Sequence, residues 1–258
     1  VSSTAQSETM QVRRLADSQL ANFDKEYVGE RKWAALRACI DRDFSGRPFS
    51  FLDIGGGNGL FADRVLATYS NSRGTVLDNA EILLRKNKDW PDRKTIVCGS
   101  AENLETLFAG ERFDIIFMNW VLHHLVGESY ASTTENVRRL LHGAGSLLHP
   151  NGRISIFEHM YDGLVIDNLP SHIIYHLTSS RRLSSLIRRW GANTAGVGVC
   201  FRSRKAWLDI IRDAGLDAVE YSEGSRWPIR LAHRLLLHMG NVRGGHFWIR
   251  RGLSSDSP

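Results

Sequence analysis

Apolar positions in this chain fall into short continuous runs separated by stretches of helical period, and the two kinds alternate. Trp33, Leu36 and Ile40 recur at helical spacing and predict a helix over 27–40. The run Phe49-Ser50-Phe51-Leu52-Asp53-Ile54 predicts a first strand over 48–54 that feeds into glycines, and Phe61, Val65 and Tyr69 resume helical spacing behind them. Further runs predict strands over 75–78, 95–98, 113–118 and 153–157. Between them lie a helix near 81–87, the segment Ser100-Ala101-Glu102-Asn103-Leu104, and a helix near 135–141 that turns Val137, Leu140 and Leu141 inward. Asn151-Gly152 marks the turn into the fifth strand.

Strands alternating with helices imply crossover units and a parallel sheet. Ligands of such sheets bind beyond the carboxyl ends of the strands. The rhythm breaks over 161–202, where two helical segments are predicted, 167–177 and 181–190. The second carries Leu183, Leu186, Ile187 and Trp190 on one stripe. Trp207, Ile210, Ile211 and Ala214 then mark another helix, and 216–221 and 246–250 read as two last strands. One domain over 1–258 is expected. Its parts are an N-terminal helical segment (1–47), a ligand-binding core (48–160), a helical lid (161–202) and the end of the sheet (203–258).

Composition narrows the partners. With 258 residues, 42% of them hydrophobic, the chain can bury one sizeable core. Its net charge of +5 is dispersed, without the basic cluster and interleaved aromatics of a nucleic-acid footprint, so no nucleic-acid partner is expected. No run approaches the ~18 apolar residues of a membrane span. Cys39, Cys98 and Cys200 are far apart, which predicts neither disulfides nor a metal site and points to a reducing cytoplasm. Residues 1–20 read as polar and loose.

The glycine turn Asp53-Ile54-Gly55-Gly56-Gly57-Asn58-Gly59 lets backbone N–H groups and a helix N-terminus approach a ligand. Gly57 to Ala62 satisfies G-x-G-x-x-G/A, and Asp78 follows at about 20 positions, as in a dinucleotide site. The alternative uses more residues. An acid two positions before the first glycine is poorly placed for a pyrophosphate and suits a cofactor with a cationic amino-acid end.

The set resembles the class I, Rossmann-like methyltransferases that use S-adenosyl-L-methionine. Asp53–Gly59 matches their acid-x-G-x-G-x-G loop, and Asp78 their ribose-binding acid. Gly99-Ser100-Ala101-Glu102-Asn103-Leu104 matches a third motif, with Ser100 in place of the usual acid. Asn119-Trp120-Val121-Leu122-His123-His124-Leu125 is similar to the fourth-strand exit of small-molecule members. The resemblance implies a mostly parallel seven-stranded sheet with helices on both faces, an antiparallel last strand and a helical lid after the fifth strand. It also implies cofactor contacts from Asp53, Gly55, Gly57, Gly59, Asp78, Asn79, Ser100, Ala101, Glu102 and Asn119.

In the caffeate-type and phenazine-type O-methyltransferases the comparable turn reads W-V-L-H-D-W and its histidine is the base. The resemblance therefore makes His123 a candidate base, with His124 beside it as a second; the alternative is that the pair caps a helix start. Acceptor contacts are expected from Trp120, His123, Glu158, His159, Tyr161 and Tyr175. Asp114 is expected at the far edge of the sheet, and Arg181, Arg182, Arg188 and Arg189 on a solvated helix face. The expected reaction is methyl transfer to a small organic acceptor, most simply an oxygen of a hydrophobic or aromatic secondary metabolite. Methylation of nitrogen or carbon, or of a quinone-like lipid, and retention of the cofactor without methyl transfer stay open.

Overall fold

The apolar runs pair into one seven-stranded sheet in the computed structural model, which describes residues 10–14, 24, 26, 28–189 and 193–252. The strands are β1 (Ser50–Ile54), β2 (Arg73–Asp78), β3 (Lys94–Cys98), β4 (Phe113–Asn119), β5 (Leu148–Gly163), β6 (Leu216–Arg226) and β7 (Met239–Arg251). Their order is β3-β2-β1-β4-β5-β7-β6. The first five run parallel, and β7 lies antiparallel between β5 and β6. The chain winds outward from β1 to β3 and then returns to β4 on the other side of β1. That reversal opens a crevice at the carboxyl ends of β1 and β4.

Helices cover both faces: α1 (Glu30–Phe44), α2 (Leu60–Thr68), α3 (Glu81–Leu84), α4 (Leu104–Leu107), α5 (Tyr130–Ser146), α6 (Leu169–Ser179), α7 (Ser184–Arg189), α8 (Arg204–Asp213) and α9 (Leu231–Leu236). The two-residue repeat of a strand sends neighbouring side chains to opposite faces. Phe51, Ile115 and Phe117 accordingly pack with Trp33, Leu36, Phe61 and Val65 of α1 and α2. Leu52, Ile116 and Met118 pack on the other face with Val137, Leu140, Trp207 and Ile210 of α5 and α8. Burial on both faces explains why the central strands read as unbroken apolar runs.

Several expected boundaries move. The first helix starts at Glu30 and runs on to Phe44, with Tyr27 outside the described residues. The helix near 81–87 is one turn, Glu81–Leu84. The fifth strand is much longer than 153–157, because its ladder with β7 continues from Ile154↔Ile249 to Gly163↔Met239. Tyr161 is therefore a strand residue, and the helical insertion begins only after Gly163. The buried Arg243 and the pair Gly244-Gly245 break the apolar pattern of β7 and hide its first half from the sequence. In the insertion, α6 starts at Leu169 with Pro170 in its first turn, not at 167. The second segment shortens to Ser184–Arg189, where Ile187 is buried but Leu183 and Leu186 are exposed, so the predicted stripe does not face inward. Trp190 lies outside the described residues. Arg181, Arg182 and Arg189 are exposed, as expected of a solvated face.

Asp114 accepts from the backbone and hydroxyl of Ser50 at the amino end of β1, remote from the crevice. At the sheet centre the Phe117 ring meets Phe51 at 5.6 Å and Phe61 at 5.0 Å, both edge-on. Phe117→Ala is expected to lower the unfolding free energy by about 3–5 kcal/mol. Urea denaturation followed by tryptophan fluorescence measures this; a loss below about 1 kcal/mol would show that the α2 face repacks freely.

Candidate active site

The glycine loop leaves β1 with Gly55, Gly57 and Gly59 all at positive φ. At Gly55 a Cβ would stand 2.7 Å from Val121 Cγ2, so glycine there lets the loop pass against the exit of β4. Gly59 caps α2 in the left-handed conformation, against the Asn87 side chain. The Asn87 amide in turn donates to the Gly57 carbonyl at 2.8 Å. The Gly57 N–H donates to Asp78 Oδ2 at 2.9 Å, which ties the loop to the end of β2.

The crevice holds a cavity of about 460 Å³. Asp53, Gly55, Gly57, Asp78 and Asn79 line its β1–β2 side, and Ser100, Ala101 and Glu102 the β3 side. Asn119, Trp120, His123, His124 and His159 complete the wall. Polar atoms in it lack partners among the described residues: Asp53 Oδ2 and both side-chain amide atoms of Asn119 are buried without a hydrogen bond. Buried polar groups are ordinarily paired, so such orphans mark where a polar ligand belongs.

Burial, and after it the Asp78 charge, push the Asp53 carboxyl up to about 7. Burial also raises Asp78, against the N–H groups of Ala80 and Gly57. Two desolvated acids side by side favour a cationic ligand and repel a pyrophosphate. S-adenosylmethionine fits: its ammonium end suits Asp53, its ribose hydroxyls suit Asp78, and the glycines allow close approach.

The β4 exit is conformationally strained. Trp120 adopts φ 55°, unusual for a bulky residue, with its N–H donating to the Phe157 carbonyl at 2.9 Å and its ring stacked on Phe157 at 5.4 Å. A 3-10 turn, Leu122–His124, follows. Glu158, wholly buried at the β5 end, accepts from the backbone N–H of Leu122 (2.9 Å) and His123 (3.2 Å) through Oε1. Its Oε2 accepts from the His159 N–H at 3.0 Å and faces His123 Nδ1 at 2.7 Å. Burial raises the Glu158 carboxyl and strongly disfavours the His123 imidazolium. Near neutral pH the pair holds one proton between them. The three backbone donors favour the carboxylate, which puts that proton on Nδ1 and leaves Nε2 as a free acceptor. Burial also lowers His124 to about 3 and His159 to about 4.

The structure brings most of the predicted set together and separates the rest. Gly59 does not line the cavity; it shapes the helix cap. Glu158 lies behind His123 rather than on the acceptor side. Tyr161 stacks on Phe201 at 4.5 Å, and Tyr175 is buried with its hydroxyl donating to the Gly127 carbonyl; neither lines the cavity. Ser100 Oγ accepts from the Glu102 N–H at 3.4 Å as a turn cap.

Sequence reasoning missed the wall formed by Val12, Arg13 and Arg14. The Arg13 N–H donates to Val126 O at 2.8 Å, and its guanidinium reaches Glu128 and the Ser179 carbonyl. A short extended strap has no periodicity to reveal it. Phe201 was also missed. Its ring lies 4.9 Å from that of His123, and the Cys200 N–H next to it donates to the His123 carbonyl.

Fold and crevice together define an open α/β sheet with a ligand site at its topological switch point. Residues 52–156 match the family described as "Methyltransferase domain". It is similar to a malonyl-[acyl-carrier protein] O-methyltransferase 2 of Ilyobacter polytropus, 26% identical over 139 residues, which are 52% of this chain and 50% of that one. An O-methyltransferase family protein from Burkholderia thailandensis superposes with a TM-score of 0.54 at 16% identity, covering 87% of this chain and 59% of that one. The mitomycin 7-O-methyltransferase MmcR superposes with a TM-score of 0.51 at 20% identity, covering 92% and 61%. The chain thus spans half to three fifths of these relatives' lengths.

The raised Asp53 has a consequence for binding. In the free protein its carboxyl is protonated below pH 7 and ionised above. An ammonium partner binds the ionised form, so cofactor affinity should rise as pH increases through 7, with release of one proton. Asp53→Asn should flatten that dependence and weaken binding at pH 8 by about tenfold or more, the worth of a charged hydrogen bond. Titration calorimetry with S-adenosylhomocysteine in buffers of different ionisation enthalpy reads both; no proton release in the wild type would remove Asp53 from the amino-end contact.

Proposed function

We propose that the protein transfers a methyl group from S-adenosylmethionine to an oxygen of a hydrophobic or aromatic small organic acceptor, with His123 as general base. The observation that carries this is the buried Glu158–His123 pair on the wall of the cofactor cavity. It holds a neutral imidazole with one nitrogen tied and the other open.

When bound, the cofactor supplies an electrophilic methyl group on a sulfonium. The residues then divide the remaining work. Asp53, Asp78 and the glycine loop hold the donor. Trp120 and His159 offer an aromatic wall to the cavity, with Phe201 packed against His159 and His123, suited to a flat organic molecule. As the acceptor oxygen takes the methyl carbon, its O–H proton passes to Nε2 of His123. Glu158, accepting from Nδ1–H, orients the ring and offsets the positive charge that forms on it. A neutral histidine is ready for this role, because burial has removed the competing protonated form.

His123→Gln is expected to lower kcat by about a hundredfold to ten-thousandfold with an acidic phenol or carboxylic acid panel as acceptors. S-adenosylhomocysteine affinity should stay within about twofold, since the amide keeps the ring's volume and the cofactor contacts lie elsewhere. Glu158→Gln should fall between the two, by loss of orientation. Near-wild-type turnover of His123→Gln, or methyl transfer to amines or carbon in preference to oxygen, would defeat the base assignment. Tight NAD binding without thioether binding would defeat the donor.

A further inference from the structure

Helix α9 is exposed along its whole length, although half of it is leucine. Leu231, Leu235 and Leu236 are 70%, 64% and 72% exposed. The loop after β5 lies beside it: His238 Nε2 accepts from the backbone N–H of Val165 (2.9 Å) and Ile166 (3.0 Å), and the His238 carbonyl accepts from that of Leu164. Val165 is 83% and Ile166 61% exposed. Bulky aliphatic side chains from two segments thus stand together in solvent, where an ordinary water-facing surface would carry polar groups.

Along α9 the exposed charges are the cations Arg230 and Arg234, while Asp167, exposed beside Ile166, accepts from the Ser203 hydroxyl. Arg230 and Arg234 are exposed and pair with no carboxylate among the described residues. The nearby acids Asp162 and Glu223 are already taken by the buried Arg243, and Glu223 also by Arg226. Trp227 lies three residues before Arg230, 40% exposed, its ring 5.3 Å from that of His159 on the cavity wall. Aliphatics between arginines, with a half-exposed tryptophan at the edge, have the composition of a surface that enters a lipid interface.

We propose that α9 and residues 164–166 dock the protein on an anionic lipid surface. Two alternatives fit less well. Two copies meeting symmetrically through this patch would set Arg230 and Arg234 against themselves, which costs rather than stabilises. A neutral apolar partner would leave both guanidiniums uncompensated. Acidic headgroups supply counter-charge to the arginines while the acyl region takes the leucines. The patch also leads inward. Leu237 and Ile229 pack on the cluster of Ile174, Val199, Met239 and Val242, and the stacked Tyr161–Phe201 pair carries it to His123. Docking does not rest on the proposed methyl transfer.

Flotation of the full chain with phosphatidylcholine vesicles, with and without about a third phosphatidylglycerol, tests the docking without turnover. Binding is expected to the anionic vesicles, to be weak on neutral ones, and to fall with added salt. Arg230→Gln and Arg234→Gln should each reduce it about fivefold. The double variant Leu235→Ser/Leu236→Ser should abolish it while S-adenosylhomocysteine binding, measured in the same preparations, stays unchanged. Equal binding to both vesicle types, or wild-type binding by the arginine variants, overturns the proposal. So does a wild type that ignores vesicles and forms a dimer that the leucine variant dissolves, which would make the patch a contact between copies. Loss of docking with normal methyl transfer to a soluble acceptor, or the reverse, separates this surface from the proposed reaction.

Discussion

One buried carboxylate holds the reacting end of this molecule together. Glu158 takes three backbone N–H groups and one imidazole nitrogen, from the turn after β4 and from its own strand end. Removing an ionisable group from water is costly unless every lone pair is used, and here the donors surround it. The same contacts fix the 3-10 turn at Leu122–His124, and that turn sets the direction of the His123 ring. Trp120 completes the constraint: its left-handed backbone reverses the chain just before the turn and is retained because the ring stacks on Phe157 of the adjacent strand. A strained residue held by packing on one side of the turn and a saturated carboxylate on the other make the geometry rigid before any ligand arrives.

The cofactor side follows the opposite logic. Burial and the Asp78 charge raise Asp53, and Asp53 Oδ2 has no donor among the described residues. This arrangement is unfavourable in the empty fold and is relieved by a cation. The site gives up stability to gain selectivity for a positively charged ligand, and the His123 side, at the cost of the Trp120 strain and the burial of Glu158, gains orientation. The proposed methyl transfer from a sulfonium would use both: a donor held by charge and a proton acceptor held neutral.

The residues that could be read from the sequence are those whose role is local. Asp53, Gly55, Gly57 and Asp78 sit at strand ends that the apolar runs mark out, and a glycine turn there has few uses. His123 was reached through a neighbouring pattern, Trp120–Leu122, on the same turn. What escaped depends on contacts distant in the chain. Glu158 reads as a strand-end acid until β5 is laid beside β4, and only then does its carboxyl fall under His123. Tyr161 and Tyr175 looked like acceptor contacts because they follow the fifth strand. The strand in fact continues past Tyr161, and Tyr175 turns into the packing between α5 and α6. The strap at Val12–Arg14 is a third case, held by Val126, Glu128 and Ser179 and carrying no period of its own.

The long pairing of β5 with β7 links the crevice to the exposed rim. A shorter fifth strand would end at Phe157 and leave the acceptor side open. By running to Gly163 the β5–β7 ladder carries Glu158 and His159 into the site and ends beside Val165 and the residues that follow α9. Arg243, buried midway along it, is neutralised by Asp162 and Glu223 from the two flanking strands. That buried charge cluster is a poor source of stability by itself, since its desolvation offsets much of the attraction. Its effect is on register: a one-residue slip would part the arginine from both acids and turn Phe247 and Trp248 to the wrong faces. The β5–β7 ladder that holds Glu158 under His123 is thereby also the one that sets the position of the exposed rim, and neither can shift without the other.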